Sequence, residues 1–385
     1  MRIGGEDLMA YSRHESIWHY IEVLTLIMVS VTPWIPQAVK IILLGGLIAI
    51  NIFRVQQLKG HLCVSVSFVI VAFMFLIPSL VDLIHVSNSN SYSAVNFLYP
   101  INFLCGYLIA TKYGKDEFCL VMEKIVFVLA LLSLVGMSIY YINPSLIRSF
   151  PSYTYYESVN RTIFFFNYQF EDNWMSMRNA GIAWEPGVFQ IILNLGLCVS
   201  IPKFKGKSRL IRVVVYTLAI ILTRSTMGFI ILMVNIVYLL KEEKKYWILL
   251  TFIIIAFSAS VASELQYQLS NKLFGSSSFS YRYSPLINAI KYTWYKPLGI
   301  GSTGYNAVYQ QMNLGSFDAY TQILMRYGYP LLIYIVCKLR KLRKNDFFLG
   351  VTMFLALFSS PVWGSAFFVV FYYLNDREEK RRHVQ

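Results

Sequence analysis

Two charges stand at the mouth of a long apolar run: Arg178 and Glu185, in "RNAGIAWEPGVFQ" (178–190). A guanidinium keeps its charge and grips phosphate through paired hydrogen bonds. A carboxylate takes a proton from a hydroxyl or caps a helix. Three further stretches set charges among hydroxyls and aromatics. "LTRSTMGF" (222–229) places Arg224 beside Ser225 and Thr226. "SYRYSPLINAIKYTWYKPLGIGSTGY" (280–305) flanks Arg282 with Tyr281 and Tyr283, then runs through Gly299, Gly301 and Gly304 to Tyr305. "SFDAYTQILMRYGYPLL" (316–332) puts Asp318 eight residues before Arg326. That spacing is close to a multiple of the helical period, so the two share a face.

Each of these residues also has a plain structural reading. Pro186 suits the first position of a helix, which makes Glu185 a cap and Arg178 its ion-pair partner. The functional alternative has both facing a polar cavity. Arg224 either snorkels to lipid headgroups or binds an anion beside the neighbouring hydroxyls. Asp318 either caps the helix that follows or takes part in chemistry. Arg326, inside an apolar stretch, has to face protein or water. The tyrosines are interface anchors or sugar-stacking platforms. "KPLGIGSTGY" is no P-loop, because no Gly-Lys-Ser/Thr follows, yet its amides suit a phosphate or a sugar.

The elements that must position these groups read as membrane helices. The chain is 56% hydrophobic and only 14% charged, with a mean hydropathy of +0.52. Apolar stretches of about 20 residues recur along it, the length that crosses a bilayer core. The spans expected are 17–34, 38–54, 62–85, 94–111, 118–142, 181–202, 208–223, 225–240, 247–263, 318–337, 346–359 and 362–374. In the last pair, Ser359, Ser360, Pro361, Gly364 and Ser365 signal a turn between two short helices. The segment 282–295 reads as a surface helix. No cleavable leader is read before the first span, which is expected to act as an uncleaved anchor.

Alternating the connections, with the first segment inside, places 23 of the 34 Lys and Arg residues inside and 9 outside. The net charge of +14 is therefore a topology signal, and nucleic acid is excluded as a partner. The expected fold is all-α: a polytopic integral membrane protein of about twelve transmembrane helices, both termini cytoplasmic. It forms a single membrane domain over 1–385, with long external loops at about 143–180 and 264–317. The five cysteines are scattered through apolar runs and suggest no metal site. No internal repeat supports a transporter built from inverted halves.

The four charged stretches, in this order, together with the large second loop, resemble the O-antigen polymerase/ligase family of bacterial surface polysaccharide assembly. The resemblance covers the second half of the chain; the first five spans match in hydropathy alone. It implies a glycosyltransferase that needs no metal or cofactor and works on the outer face of the bacterial cytoplasmic membrane. Its substrates are glycans on undecaprenyl diphosphate, held in membrane lipid, and its pathway partners are a flippase and a chain-length regulator. It implies that Arg178, Arg224 and Arg282 bind diphosphate. Arg326, Tyr281, Tyr283, Gly301 and Tyr305 join the expected substrate site. Ligases of this family have a histidine where this chain has Asp318. The histidines here are His14, His19, His61, His85 and His383, and none lies in either long loop. The expected function is therefore repeat-unit polymerase for O-antigen, capsule or exopolysaccharide. Ligase, and flippase or secondary transporter, are the alternatives. Asp318 is the first candidate for the base, and Glu185 the second.

Overall fold

The computed structural model describes residues 17–57, 68–76, 95–155, 158–163, 165–169, 177–243, 278–302, 304–305, 308 and 318–376. They are mostly helical, with one small sheet. Helices α1 (Ile17–Val31), α2 (Gln37–Gln57), α3 (Val95–Lys112) and α4 (Lys115–Ile142) come first. A short α5 (Pro144–Ile147) leads into strands β1 (Ser152–Tyr155), β2 (Ser158–Ile163) and β3 (Phe166–Gln169). Then come α6 (Pro186–Lys203), α7 (Gly206–Leu222), α8 (Thr226–Glu242) and α9 (Ser278–Trp294). The last helices are α10 (Ala319–Asn345), α11 (Phe347–Ser359) and α12 (Ala366–Tyr373). The expected span 247–263 and most of 62–85 lie outside the described residues.

Among the described residues, α4 and α6 are long and apolar enough to cross a membrane. Helices α1 and α11 are apolar but shorter, as is 37–53 of α2. Apolar side chains also point outward. Ile42, Val128, Val135, Leu218 and Val237 are all exposed.

The first long connection is not a plain loop. β1, β2 and β3 form an antiparallel meander, with Tyr153 paired to Asn160 and Thr162 to Asn167. The alternating Thr, Val, Ile, Tyr and Phe of 152–169 fit a half-buried pleated surface. The sheet is pinned to α4: the Tyr168 hydroxyl donates to the Gly136 carbonyl at 2.9 Å. Phe166 packs so close that a Cβ at Gly136 would come within 2.5 Å of its ring. The expected all-α class is thus corrected to mostly helical with a three-stranded sheet.

Helix α6 is the axis of the bundle, packed by α4, α7, α8 and α11. Every residue from Val188 to Ile201 is buried. Helix α12 plays the same part beside α1, α3 and α10. Ion pairs gather at one end of the bundle. Lys203 at the end of α6 meets Asp116 at the start of α4 at 2.5 Å, and Lys115 meets Asp346, before α11, at 3.0 Å. Lys112 meets Glu22 at 2.5 Å, Arg209 meets Glu243 at 2.9 Å, and Lys338 meets Asp376 at 2.8 Å. All but Glu22, which lies more than a turn into the first expected span, fall on segments expected inside or at their edges.

Because Asp346 and Asp376 both lie at this basic end, α11 and α12 form a hairpin that enters and leaves on one side. The turn 360–365 is its tip, as the Ser/Pro/Gly pattern predicts. Irregular backbone of this kind survives in an apolar bundle only when protein groups satisfy it. The tip meets that condition: Val362 N bonds Ser360 O at 2.8 Å, and Phe367 N bonds the Ser30 hydroxyl at 3.0 Å.

Candidate functional site

The Arg178 side chain meets the Arg224 backbone at the α7–α8 turn. Arg178 Nε donates to Thr223 O at 2.9 Å and Nη2 to Arg224 O at 3.3 Å. These carbonyls close the C-terminus of α7, where the helix dipole favours a cation. Asn179, fully buried, fixes the irregular stretch that carries Arg178. Its amide nitrogen Nδ2 donates to Ser133 Oγ at 3.1 Å and Ala219 O at 3.2 Å, and its Oδ1 accepts from Gly181 N at 3.1 Å. The expected Arg178–Glu185 ion pair is not made; the cation goes to the turn instead.

Arg224 has φ of 48°, alone among the described non-glycine residues. Glycine is usual just past a helix end, and another residue costs about 1–2 kcal/mol there. Strain of this kind collects at functional sites. The Ser225 hydroxyl caps α8 by accepting from Gly228 N at 3.3 Å. It is therefore committed to the helix rather than open to a ligand.

Glu185 occupies the N-cap position of α6, with Pro186 following at N1, but its side chain makes no cap bond. Instead Oε1 accepts from the Ser360 hydroxyl at 2.6 Å, reaching the tip of the α11–α12 hairpin. Gly187 leaves the room for this, since a Cβ there would lie 3.2 Å from Ser360 Oγ and 3.3 Å from Glu185 Oε1. Next to it begins a ladder of buried amides. Gln190 Nε2 donates to Ser359 Oγ at 2.8 Å, Asn194 Nδ2 to Gln190 Oε1 at 3.1 Å, and Asn235 Nδ2 to Asn194 Oδ1 at 3.1 Å. Thr352 Oγ1 closes it on Asn235 Oδ1 at 3.4 Å. Each rung satisfies groups that would cost about 1–3 kcal/mol if left unbonded. The ladder locks α6, α8 and α11 in one register and so fixes where Ser360 stands.

Arg326 is 8% exposed and lies in an aromatic cage. Its guanidinium sits 4.5 Å from the Tyr305 ring centroid and 5.7 Å from that of Tyr99. Nη1 donates to the Tyr99 hydroxyl at 3.3 Å, while Nε has no acceptor among the described residues. Tyr99 stacks on Trp363 at 4.7 Å, so the cage leans on the hairpin that holds Ser360.

The cage depends on a kink. Gly328 has φ of 73° and ψ of −168° inside α10. Pro330 also denies the Arg326 carbonyl its helical amide. The kink folds the first half of α10 back: Tyr320 donates to Phe354 O at 2.9 Å, where a straight helix would carry it about 27 Å past that level. The loop after α9 docks in the kink, with Ile300 N on Met325 O at 2.8 Å and Tyr329 N on Pro297 O at 2.9 Å. Of the glycine amides expected to suit a phosphate or a sugar, that of Gly299 is taken by a turn. The Gly299 amide bonds Lys296 O at 2.9 Å, and Gly301, at φ of 70°, is buried.

Asp318 caps α10, with Oδ1 accepting from Thr321 N at 2.7 Å. It starts the half-helix that carries Arg326. Tyr281, Arg282 and Tyr283 fall on the first turns of α9, and their side chains lie outside the described part. The structure thus joins Arg178 to Arg224, Glu185 to the hairpin tip, and Arg326 to Tyr305 beside Gly301. The sequence reading does not point to Tyr99, Trp363 or the amide ladder, and takes Ser360 only as part of a turn. Polar amides in an apolar run, as at Gln190, Asn194 and Asn235, are the signal that finds such residues. Searched against protein-family models and curated proteins, the chain matches none.

Proposed function

We propose that this chain is a polytopic membrane glycosyltransferase that polymerises undecaprenyl-diphosphate-linked repeat units on the outer face of the bacterial cytoplasmic membrane. In this reading about twelve helices span the bilayer, and the basic end of the bundle faces the cytoplasm. The exposed apolar faces and the basic cluster at one end support it. The observation that carries the chemistry is the pair Arg178 and Arg224. Both belong to one turn: the Arg178 guanidinium holds the backbone carbonyls of Thr223 and Arg224, and Arg224 stands on a strained backbone. A diphosphate carries enough charge to engage both arginines of this turn.

The acceptor sugar hydroxyl attacks the anomeric carbon of the donor glycan. The bond from that carbon to the diphosphate oxygen breaks, and the electron pair leaves with undecaprenyl diphosphate. Arg178 and Arg224 stabilise that developing charge, the contribution that is usually largest in such transfers. The hydroxyl proton goes to a carboxylate. Asp318 is buried, with Oδ1 on the α10 cap, whereas Glu185 is partly exposed, its Oε1 held by Ser360 and its Oε2 left to take the proton. Glu185 is therefore our choice for the base, with Ser360 as its positioning residue. Arg326, caged by Tyr99 and Tyr305, supplies a further cation for the sugar or phosphate.

Deletion of the gene tests this reading. A strain without it should cap its acceptor with single repeat units and make no long chains. Normal long-chain polymer in that strain defeats the proposal, and polymer that accumulates on undecaprenyl diphosphate points to a ligase. Repeat-unit lipid trapped on the inner leaflet points to a flippase.

A further inference from the structure

The basic stretch at the end of α10 divides by partner. Lys338 and Lys341 turn to Asp376, at 2.8 and 3.1 Å. Arg340 and Arg343 are exposed, and among the described residues neither has an ion pair or hydrogen bond. Three residues apart, they share one face of the helix. With Val336, Leu339, Val351 and Phe354 they line a groove of about 270 Å³ between α10 and α11. Its floor is Gly350, where a Cβ would come within 2.4 Å of Arg343 Cα, so the two helices touch backbone to backbone. The groove is graded. The arginines lie toward the basic end, and the apolar lining runs away from it, with Val336 37% and Phe354 40% exposed.

We propose that this groove binds one anionic phospholipid of the cytoplasmic leaflet, its phosphate between Arg340 and Arg343 and an acyl chain along Val336, Leu339, Val351 and Phe354. The charge fits: two unpaired guanidinium groups match a phosphodiester, which each can take through two hydrogen bonds. The polarity fits as well, because head and tail positions follow the direction in which a leaflet changes from headgroup to hydrocarbon. A zwitterionic headgroup would bring its own cation to the same place. This site rests on the membrane reading above but not on the polymerase chemistry.

The test is native mass spectrometry of the purified full chain after release from bilayer discs, with palmitoyl-oleoyl phosphatidylglycerol and phosphatidylcholine as probes. The wild type should retain phosphatidylglycerol and not phosphatidylcholine. R340Q/R343Q should retain it roughly 30-fold less, the loss expected for two arginines at a membrane surface. Val351→Trp fills the groove without changing charge and should lose the lipid too, which separates the site from a general charge effect. Equal retention of both lipids by the wild type, or wild-type retention by the double variant, overturns the site. So does a dimer that Val351→Trp abolishes, since the groove then holds a second copy. Carbonate extraction of membranes reads the underlying assignment separately. A chain released by carbonate defeats the membrane reading itself, whereas a resistant chain that holds no phosphatidylglycerol defeats the lipid site alone.

Discussion

Gly328→Ala should undo the Arg326 cage without touching a charged residue. The backbone at Gly328, φ of 73° and ψ of −168°, belongs to a region open essentially to glycine, and forcing alanine into it costs about 1–3 kcal/mol. The new Cβ would also fall 2.1 Å from the Pro297 carbonyl oxygen, far inside contact distance. The kink therefore opens, and the loop loses the bonds from Ile300 N to Met325 O and from Tyr329 N to Pro297 O. At about 1 kcal/mol each, these bring the total to about 3–5 kcal/mol. Straightening α10 is no escape, because Pro330 still blocks the Arg326 carbonyl. Ser302, 2% exposed, reports the docking. In a cysteine-free background, Ser302→Cys should react slowly with a membrane-impermeant maleimide, and at least roughly tenfold faster when Gly328→Ala is added. Long-chain polymer should be lost with it. Gly299→Ala, whose Cβ would lie 2.6 Å from Arg326 O, should do the same, and the two changes should not add. Unchanged labelling in Gly328→Ala would refute the docking and the cage built on it.

The carboxylates separate by isosteric exchange. Glu185→Gln keeps an acceptor for Ser360 and should abolish polymer at normal protein level, while Asp318→Asn keeps the cap and should leave polymer. Asp318→Ala should cost about 1 kcal/mol through the lost cap, read as a lower melting point in detergent. Arg178→Lys keeps the charge but loses the paired donors that reach Thr223 and Arg224, so lysine should not restore full-length chains. Arg326→Met removes a caged cation with little change of volume; it should lose polymer while the melting point stays near wild type, and full activity would place the cage outside the site. Gln190→Leu breaks the ladder at Ser359 and Asn194 and should cost about 1–3 kcal/mol in the same melt, with a flat result marking the ladder as idle.

Helix positions were legible because apolar length is a strong signal. The expected 118–142 and 346–359 became Lys115–Ile142 and Phe347–Ser359, and the hairpin turn appeared where Ser, Pro and Gly cluster. The meander at 152–169 escaped notice because short strands in a long connection carry little pattern, and pairing is a non-local event. Glu185 was read correctly as standing at a helix start. That its side chain turns to Ser360, 175 residues on, depends on packing that one sequence does not display. Arg326 stands out in the sequence as a cation in an apolar span, yet its cage needs Tyr99 from α3 and a kink at Gly328. The Gly328 and Pro330 pair was on view in "RYGYP" as a break, without the direction of the fold it makes.

Reconstitution tests the central claim most directly: purified chain in a bilayer, supplied with an undecaprenyl-diphosphate-linked repeat unit and nothing else. The account predicts a ladder of lipid-linked chains growing by one repeat unit, one undecaprenyl diphosphate released per step, and no ladder from Glu185→Gln or the Arg178→Ala/Arg224→Ala pair. Wild-type chain that leaves every repeat unit single, or an equal ladder from those variants, contradicts it.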